Sequence, residues 1–394
     1  MTAHALLSAS GAARWMHCTG SPKLERDFPD TTSAYAKEGT LAHAICELKL
    51  RKFAVEPMGK STYTRRLSKL KKEPEYQKEM DGYTDDYLDR VKAIILAYPH
   101  KPHVACEQRV DFSAWVPGGF GTADCIVVGD DTLHIVDFKY GKGVEVDAHD
   151  NPQMRLYALG AAELYKMLWR IRTVRMTIIQ PRLSNYSTDE MPYQDLLDWA
   201  DKVVKPAAQE ASGEQGRFEP GDWCRFCRAK QQCKARAEYF AAMAKDAETH
   251  PDPRLMTPED LGRYLKAAKL LKAWAEDMQE YGLTLCLDGQ DVPGWKAVEG
   301  RGSRTFTDQE AAFKVLMDHG TDEAMLYNRV PLTLAQAEKV VGKKEFAALV
   351  GSYIDKKPGK PTLVPEADKR PAITNKPSAE QVFRPIDDDE AIPF

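Results

Sequence analysis

The sequence predicts an α/β fold in which helices flank a mixed β-sheet, followed by a helical C-terminal region and a disordered tail. Short apolar runs separated by turn residues predict strands at about 104–111, 120–128 and 132–140. A helix at about 152–169 and a strand at about 174–180 follow them. With one helix ahead of the first strand, the α-β-β-β-α-β order implies a mixed sheet flanked by helices.

Two helical regions precede the predicted sheet. Residues 38–52 place Leu41, Ala44, Ile45 and Leu48 on one face at helical spacing, so this helix is expected to pack on the sheet. A charged helical region follows it at about 67–97.

Behind the sheet the sequence changes character twice. A long helix is expected at about 258–287, and a small module at about 290–352 has Thr307 and Thr333 where helix N-caps are expected. Seven of the 24 prolines fall in the last 41 residues, where few large apolar side chains remain, which predicts disorder from about Asp355. The predicted domains are a sheet domain at 1–240, an accessory module at 241–352 and a tail at 353–394.

Composition and charge exclude several classes of protein. The 55 Lys and Arg residues against 59 Asp and Glu residues leave a net charge of −4, so a nucleic-acid site has to be a local basic patch. No run of about 18 uncharged apolar residues occurs, which excludes a membrane-spanning helix. The N-terminal stretch lacks a basic region before its apolar run, so no signal peptide is expected, and a cytoplasmic location is predicted.

Two aspartates and a lysine stand out in the segment GTADCIVVGDDTLHIVDFKYGKG at 121–143. Asp137 and Lys139 are two residues apart on one predicted strand, so their side chains project from the same face of the sheet. A tight turn at 129–131 can bring Asp124 of the preceding strand beside them. Two carboxylates held together repel unless a divalent cation neutralises them, and oxygen ligands suit Mg²⁺ or Mn²⁺. With a lysine to stabilise phosphoryl charge, this set favours metal-assisted phosphodiester hydrolysis.

Three residues on the flanking helices extend this set. Taken alone, a D-x-K pair is usually an exposed ion pair, a single helix histidine is usually structural, and a Gln/Tyr pair is usually helix surface. His43 lies on the helix expected to pack on the sheet, and a neutral imidazole is a suitable further metal ligand. Gln153 and Tyr157 are four residues apart on the helix after the strand of Asp137, so they face the same way.

The order of these residues resembles the RecB-like branch of the PD-(D/E)XK nucleases over about residues 5–240. The shared motifs are His43, the G-x-x-D ending at Asp124, the D-x-K of Asp137 and Lys139, and the Q-x-x-x-Y of Gln153 and Tyr157. Ala123 stands where the superfamily name shows Pro, and Asp replaces Glu before x-K. The resemblance implies a restriction-endonuclease-like core, metal ligands at His43, Asp124 and Asp137, a catalytic Lys139, and DNA or substrate positioning by Gln153 and Tyr157.

The eight cysteines favour metal ligation over a disulfide framework, since the chain is long and no secretion signal is expected. Cys224, Cys227 and Cys233 form a compact triad with Cys18 as the natural fourth ligand, whereas Cys46, Cys106, Cys125 and Cys286 are expected in the core. Four thiolates fit Zn²⁺ or a [4Fe–4S] cluster, and the spacing alone does not choose between them. One cysteine ahead of the core and three behind it resemble the iron–sulfur nucleases of the same branch, such as the AddB nuclease domain and the CRISPR-associated RecB-like exonucleases. That resemblance implies a [4Fe–4S] cluster joining the two ends of the nuclease domain.

Basic residues suited to phosphate contacts occur in two runs, although each run alone could be a solvated helix face. The two runs are Lys60, Arg65, Arg66, Lys69, Lys71 and Lys72, and Arg225, Arg228, Lys230, Lys234 and Arg236.

We expect a metal-dependent DNA nuclease, an exonuclease on single strands or duplex ends, whose pattern resembles a family common in phages near recombination genes. The alternatives are a DNA-binding accessory protein with a vestigial site and a nuclease acting on RNA.

The sequence ends in an acidic run followed by Ile-Pro-Phe. By composition this is an ordinary acidic disordered tail. It also resembles the tip of bacterial single-stranded-DNA-binding proteins, which docks genome-maintenance enzymes. The resemblance implies host proteins that bind such tips as partners, with a phage recombinase or annealing protein as a further candidate. The tip residues expected to bind are Asp387, Asp388, Asp389, Ile392, Pro393 and Phe394.

Overall fold

The computed structural model describes residues 5–29, 34–248, 257–328, 330–365 and 370–376, in two compact units, Met1–Leu255 and Met256–Phe394. The first unit contains a five-stranded sheet made of β1 (His103–Asp111), β2 (Phe120–Gly129), β3 (Thr132–Phe138), β4 (Thr173–Gln180) and β5 (Asn185–Pro192), in that spatial order. Strands β1 to β3 form an antiparallel meander, β4 is parallel to β3, and β5 is antiparallel to β4. The predicted mixed sheet flanked by helices is confirmed.

Helices surround this sheet in the described part of the first unit, with short π- and 3₁₀-helical turns between some of them. They are α1 (Ala12–Trp15), α2 (Ser21–Leu24), α3 (Ala34–Leu50), α4 (Lys60–Leu70), α5 (Glu79–Leu96), α6 (Pro152–Tyr165), α7 (Tyr193–Trp199), α8 (Lys205–Ser212) and α9 (Lys234–Glu248). The charged helical region expected at about 67–97 consists of two helices, α4, which begins earlier at Lys60, and α5. A break falls around Pro74, because proline cannot continue a helix interior.

Both faces of the central strands are buried. On one face, Ile45 of α3 and Tyr87 of α5 pack with Phe138 and other β2 and β3 side chains. On the other face, Met154 and Leu159 of α6 pack in a second cluster with side chains of β2, β3 and β4. Burial on two sides explains why these strands read as nearly continuous apolar runs.

Helix α6 makes the crossover between the parallel strands β3 and β4, and its start is fixed by local sequence. Asn151 is the N-cap, and its side chain accepts hydrogen bonds from the main-chain N–H groups of Gln153 and Met154 at 3.0 and 3.3 Å. Pro152 occupies the first helical position, where a missing N–H costs nothing. Gln153 is thereby held in the first turn, next to the end of β3.

The second unit begins with the long helix expected at 258–287, observed as α10 (Pro258–Leu287). Its other elements are β6 (Trp295–Phe306), α11 (Gln309–Asp318), α12 (Glu323–Leu326), β7 (Tyr327–Asn328), β8 (Val330–Pro331), α13 (Leu334–Val341), α14 (Lys343–Val350) and β9 (Ile354–Pro365). Strand β9 pairs antiparallel with β6, so the expected disorder from about Asp355 is wrong for residues 354–365.

The predicted N-caps of this unit are half correct. Thr333 is the N-cap of α13, and its main-chain N–H donates to Gln336 Oε1 at 2.9 Å. Thr307 is not a cap, because the next residue, Asp308, accepts from the Ala311 N–H at 2.9 Å and starts α11. None of the helices among the described residues is long and apolar enough to cross a membrane. The acidic tip at 387–394 lies outside the described residues.

Candidate functional site

The hairpin of β2 and β3 opens at the end that carries Asp124 and Asp137. Main-chain pairing of the two strands ends at Cys125 and Val136. Beyond that pair, Asp124 Oδ2 accepts a hydrogen bond from the Phe138 N–H at 2.7 Å, so a carboxylate takes the place of a strand acceptor. The other edge of β3 stays paired, since the Lys139 N–H donates to Ile179 O of β4 at 2.9 Å. Both aspartates therefore lie just beyond the point where main-chain pairing between β2 and β3 ends.

Contacts join the predicted catalytic residues around this opening. His43 Nδ1 lies 3.3 Å from Asp124 Oδ1, and Lys139 Nζ lies 3.0 Å from Asp137 Oδ2. Lys139 Nζ also donates to Gln153 Oε1 at 3.0 Å. The structure thus brings helix α3, strands β2 and β3 and helix α6 together through the side chains that the sequence singled out.

Tyr157 reaches the same place because β2 has a glycine there. Gln153 Nε2 donates to Tyr157 Oη at 3.2 Å, which extends the contacts from Lys139 along α6. A Cβ atom on Gly121 would lie 2.6 Å from the Tyr157 ring, so a side chain at this position would displace the tyrosine. This contact gives a physical reason for the glycine of the G-x-x-D motif.

Glu107 is a site residue that the sequence analysis missed. It lies on β1 between Cys106 and Gln108, which pair with Cys125 and Ala123 of β2, and so it stands opposite Asp124. Its φ of 50° is in the left-handed region, a strained conformation for a residue with a side chain. His43, Glu107 and Asp124 each offer a ligand atom within 4.8 Å of the other two. An acidic residue within the apolar strand next to that of Asp124 was the available signal.

The pKa values of the two aspartates shift in opposite directions; Asp137 is buried and Asp124 is half-buried. Burial would raise the pKa of Asp124, but the charge of His43, the hydrogen bond from it and the bond from the Phe138 N–H hold that pKa below its usual value. Burial raises the pKa of Asp137, and the charge of Asp124 adds to this effect against the opposing charge of Lys139. Without a cation, the opening therefore holds one firmly ionised carboxyl and one that resists ionisation.

The remaining charged groups respond to the same two carboxyls. Burial would lower the pKa of His43, but the charge of Asp124 and the hydrogen bond to it raise that pKa to about 9. Burial, followed by the charge of Asp124, raises the pKa of Glu107 to about 7. Burial would also lower the pKa of Lys139, yet Asp137 and Asp124 raise it, so the lysine stays charged. The negative charge of the aspartates thus favours the protonated forms of His43, Glu107 and Lys139.

These groups fit a divalent cation. Asp137 is 3% exposed, and its buried Oδ2 accepts no hydrogen bond of good geometry from any described residue, although Lys139 Nζ is close. A buried carboxylate oxygen without a donor is costly unless a cation or a proton is present. One imidazole and carboxylates from two neighbouring strands are a donor set that Mg²⁺ or Mn²⁺ accepts.

The segment after Lys139 is fixed by Gln180, a second residue that the sequence analysis did not single out. Gln180 is 1% exposed, and its Nε2 donates to Gly141 O and to Val144 O, each at 2.7 Å. Its Oε1 accepts from the Val146 N–H at 3.1 Å and from Asn185 Nδ2 at 3.1 Å. This fully bonded amide holds the segment that follows strand β3. We call this segment the 141–146 loop.

The cysteine turn, residues 217–233, is bound to the start of the chain. Glu25, only 4% exposed, accepts from Arg14 Nη2 at 2.7 Å and from the Arg228 N–H at 2.8 Å. The Gly20 N–H donates to Arg217 O at 2.9 Å. A Cβ atom on Gly216 would lie 2.5 Å from the Gly20 main chain, so two glycines permit this close approach.

The four predicted cluster cysteines, Cys18, Cys224, Cys227 and Cys233, all line one pocket. All four are free thiols. Burial raises the pKa of Cys18 and of Cys224, and burial with the nearby Glu25 charge raises that of Cys227 to about 12. In the described chain no three of the four sulfur atoms lie mutually within 4.8 Å. Of the other cysteines, Cys46, Cys106 and Cys125 are buried as expected, whereas Cys286 is only half-buried.

The predicted DNA-binding residues lie apart from each other. Lys60, Arg65, Arg66 and Lys69 are on α4, exposed, with Arg66 paired to Glu56 at 3.0 Å. Arg225 and Arg228 are exposed on the cysteine turn. The structure therefore places two separate basic groups on the surface of the first unit.

The fold and the site define a mixed α/β protein with a candidate metal centre at the opening of a β-hairpin. The chain belongs to the DUF2800 family, described as a protein of unknown function, and the match spans residues 4–371. Among solved structures, the chain is similar to one titled "Crystal structure of SSO0001", at 15% sequence identity over 50% of this chain and 85% of that chain, with a TM-score of 0.24.

Proposed function

We propose that this protein is a metal-dependent DNA nuclease of the RecB-like PD-(D/E)XK type, acting on single strands or duplex ends. The observation that carries the proposal is the convergence of His43, Asp124, Asp137 and Lys139 at the opening of β2 and β3. Surface ion pairs rarely place a buried and a half-buried carboxyl on adjacent strands beside a histidine and a lysine.

The residues that would hold Mg²⁺ or Mn²⁺ are His43, Asp124 and Asp137, joined by Glu107. The chemistry that such an ion supplies when bound is Lewis acidity toward phosphate oxygens. Lys139 keeps its proton between two carboxyls, so its ammonium can stabilise negative charge that develops on the phosphoryl group. Gln153 Oε1 accepts from that ammonium and fixes its position.

A cleavage assay with single labels at the 5′ or the 3′ end tests this proposal. Anaerobically purified protein should degrade labelled single-stranded DNA with Mn²⁺ or Mg²⁺ and stop when EDTA is added. Asp137→Asn should abolish cleavage and retain DNA binding, because it removes a ligand and leaves the basic surface. Asp130→Asn, in the hairpin turn at the other end of the same strands, is the matched control and should cleave normally.

The same assay separates the rival functions. Binding without cleavage under every metal condition would favour a DNA-binding accessory protein with a vestigial site. Faster degradation of single-stranded RNA than of DNA would assign the activity to RNA. Undiminished cleavage by Asp137→Asn would overturn the assigned centre, whichever nucleic acid is cut.

For the four cysteines we propose a [4Fe–4S] cluster, with Zn²⁺ as the alternative. A tetrahedral zinc site, with Zn–S bonds of about 2.3 Å, needs sulfur atoms about 3.8 Å apart. The four thiols line one pocket, but among the described residues no three of their sulfur atoms lie that close together. The choice of the iron–sulfur cluster therefore rests on the resemblance in cysteine positions. The raised thiol pKa values mean that either group must displace protons when it binds.

The acidic tip remains a proposal from the sequence. We propose that residues 387–394 dock a host protein that recognises the tips of single-stranded-DNA-binding proteins, through the acidic run and the Phe394 ring. A labelled peptide of the last eleven residues should bind a RecQ-type helicase that recognises such tips. Binding should weaken with salt and vanish without Phe394, and binding indifferent to Phe394 would return the tail to an ordinary acidic one.

A further inference from the structure

We propose that the exposed Phe226 ring of the cysteine turn, with the neighbouring Trp223 and His17 rings, binds unpaired bases and selects single-stranded DNA for the neighbouring site. The surface consists of His17, Trp223, Arg225 and Phe226, and we call it the stacking surface. The inference rests on the proposed function for the identity of its ligand, a nucleic acid.

The rings of this surface are presented on fixed backbone. His17 stacks on Trp223 with ring centroids 4.0 Å apart and an interplanar angle of 4°, and Trp223 Nε1 donates to Glu219 O at 2.7 Å. Phe226 is 66% exposed, while its carbonyl accepts from Arg14 Nη1 at 3.1 Å. Phe226 therefore presents most of its ring to solvent from a tethered turn, and the Arg225 guanidinium lies 5.9 Å from its ring centroid.

The stacking surface adjoins the candidate active site through one contact. Arg225 Nη2 donates to Gly143 O at 3.5 Å, a long bond that places the turn against the 141–146 loop. Gly143 is four residues after Lys139, and Gln180 fixes the loop between them. A DNA single strand that stacks on Phe226 would therefore pass beside the 141–146 loop, which follows strand β3.

Charge alone does not explain this surface. Arg225 and the exposed Lys142 of the loop can contact phosphates, but Glu219 and Asp222 are exposed on the same turn. Phosphate attraction would also draw duplex DNA, whose backbone carries the same charge. Stacking on an aromatic ring requires a base whose face is free, and that condition separates a single strand from a duplex.

Fluorescence anisotropy without added divalent metal tests the inference independently of cleavage. The probes are a labelled oligothymidine of about 20 nucleotides and a duplex of the same length, which exceed the usual site size of one binding module. Phe226→Ala should weaken binding of the single strand at least about fivefold, the lower end of the cost of losing one base–aromatic contact. Duplex binding should change less than about twofold, since duplex contacts are to phosphates.

Two further variants control the measurement. Phe226→Tyr keeps a ring and should bind like the wild type. Met167→Ala removes another apolar side chain, 86% exposed on the same unit, and should also bind normally. Unchanged binding by Phe226→Ala, or an equal loss for single strand and duplex, overturns the inference.

The outcome is separable from that of the proposed function. A protein that binds the oligothymidine through Phe226 but cuts nothing with Mn²⁺ supports the stacking surface and contradicts the nuclease. A protein that cuts DNA with unchanged binding by Phe226→Ala contradicts the stacking surface alone.

Discussion

The acidic opening and the cysteine turn are two candidate metal sites that the protein prepares differently. At the opening, Asp124 and Lys139 already have protein partners, His43 and Gln153, so the side chains are held close before any ion arrives. At the turn, the thiols line a pocket, and burial favours their protonated form. A proposed ion at the first site would therefore complete an existing arrangement of side chains, whereas a proposed metal group at the second would have to draw its ligands together.

Loss of a single thiol gives the largest expected effect. Cys18→Ser should abolish the broad visible absorption of an iron–thiolate cluster and remove most of about four iron atoms per chain, because three ligands hold the group poorly. Cys286→Ser, on the half-buried cysteine of the second unit, should keep iron and colour. Colourless wild-type protein with one zinc per chain would show that the turn holds the rival metal.

Lys139→Ala should lower the cleavage rate about 100- to 1000-fold, the usual cost of losing one group that stabilises transition-state charge. Its affinity for Mn²⁺ should change little, because the lysine is not a ligand. Calorimetric titration with Mn²⁺ beside the cleavage assay checks both parts. A variant that loses metal and activity together would mean that Lys139 only holds Asp137 in place.

Glu107→Gln should weaken Mn²⁺ binding about 10- to 100-fold, the range found when groups around a metal site are removed. Asp111→Asn, at the end of the same strand, is the matched control and should bind Mn²⁺ normally. Calorimetric titration of both variants measures the difference. Equal affinity in the two would leave Glu107 as a strained strand residue with no part in the metal centre.

His134 is a third titratable group, and its pKa is shifted by burial and by a positive charge, without a contribution from a carboxyl group. Burial, with the charge of Arg175, lowers its pKa to about 3, and its Nε2 lies 2.8 Å from Thr177 Oγ1. Because the folded pKa is below the unfolded one, its contribution to stability is full above about pH 6.5 and falls as the pH decreases. We expect a loss of about 1.4 kcal/mol between pH 7.5 and 5.5.

Urea unfolding of the wild type and of His134→Gln at the two pH values measures this contribution. The variant cannot titrate at this position, so its stability should fall by that much less than the stability of the wild type. Equal pH dependence in the two proteins would mean that folding does not lower the pKa of His134.

The sequential order of elements from β1 to β4 and the positions of Asp124, Asp137 and Lys139 near one end of a hairpin were predictable because each has a local signal. The D-x-K spacing places Asp137 and Lys139 on one face, and the apolar runs mark β2 and β3. Glu107 was not predictable, since its role depends on the register between β1 and β2 and on a left-handed backbone. Gln180 gains its role only when a distant loop returns to it.

Strand β5 was missed for a related reason. It lies at the edge of the sheet, and half-buried and exposed residues alternate along it. Polar residues such as Ser187 and Glu190 interrupt any apolar run, so the segment lacks the pattern that identified the central strands. The pairing with β4, which no local pattern encodes, makes it a strand.

The bonds between the start of the chain and the cysteine turn have a consequence for synthesis. Glu25 accepts from Arg228 across 203 residues, and Arg14 donates to Phe226 across 212. At roughly 5–20 residues per second, a ribosome needs about 10–40 seconds to make the second partner after the first. During that time Trp15, which is 2% exposed in the folded unit, lacks part of the structure that buries it. Stalled chains that end before the turn should therefore be cleaved by protease near Trp15, whereas chains that extend past the turn should resist.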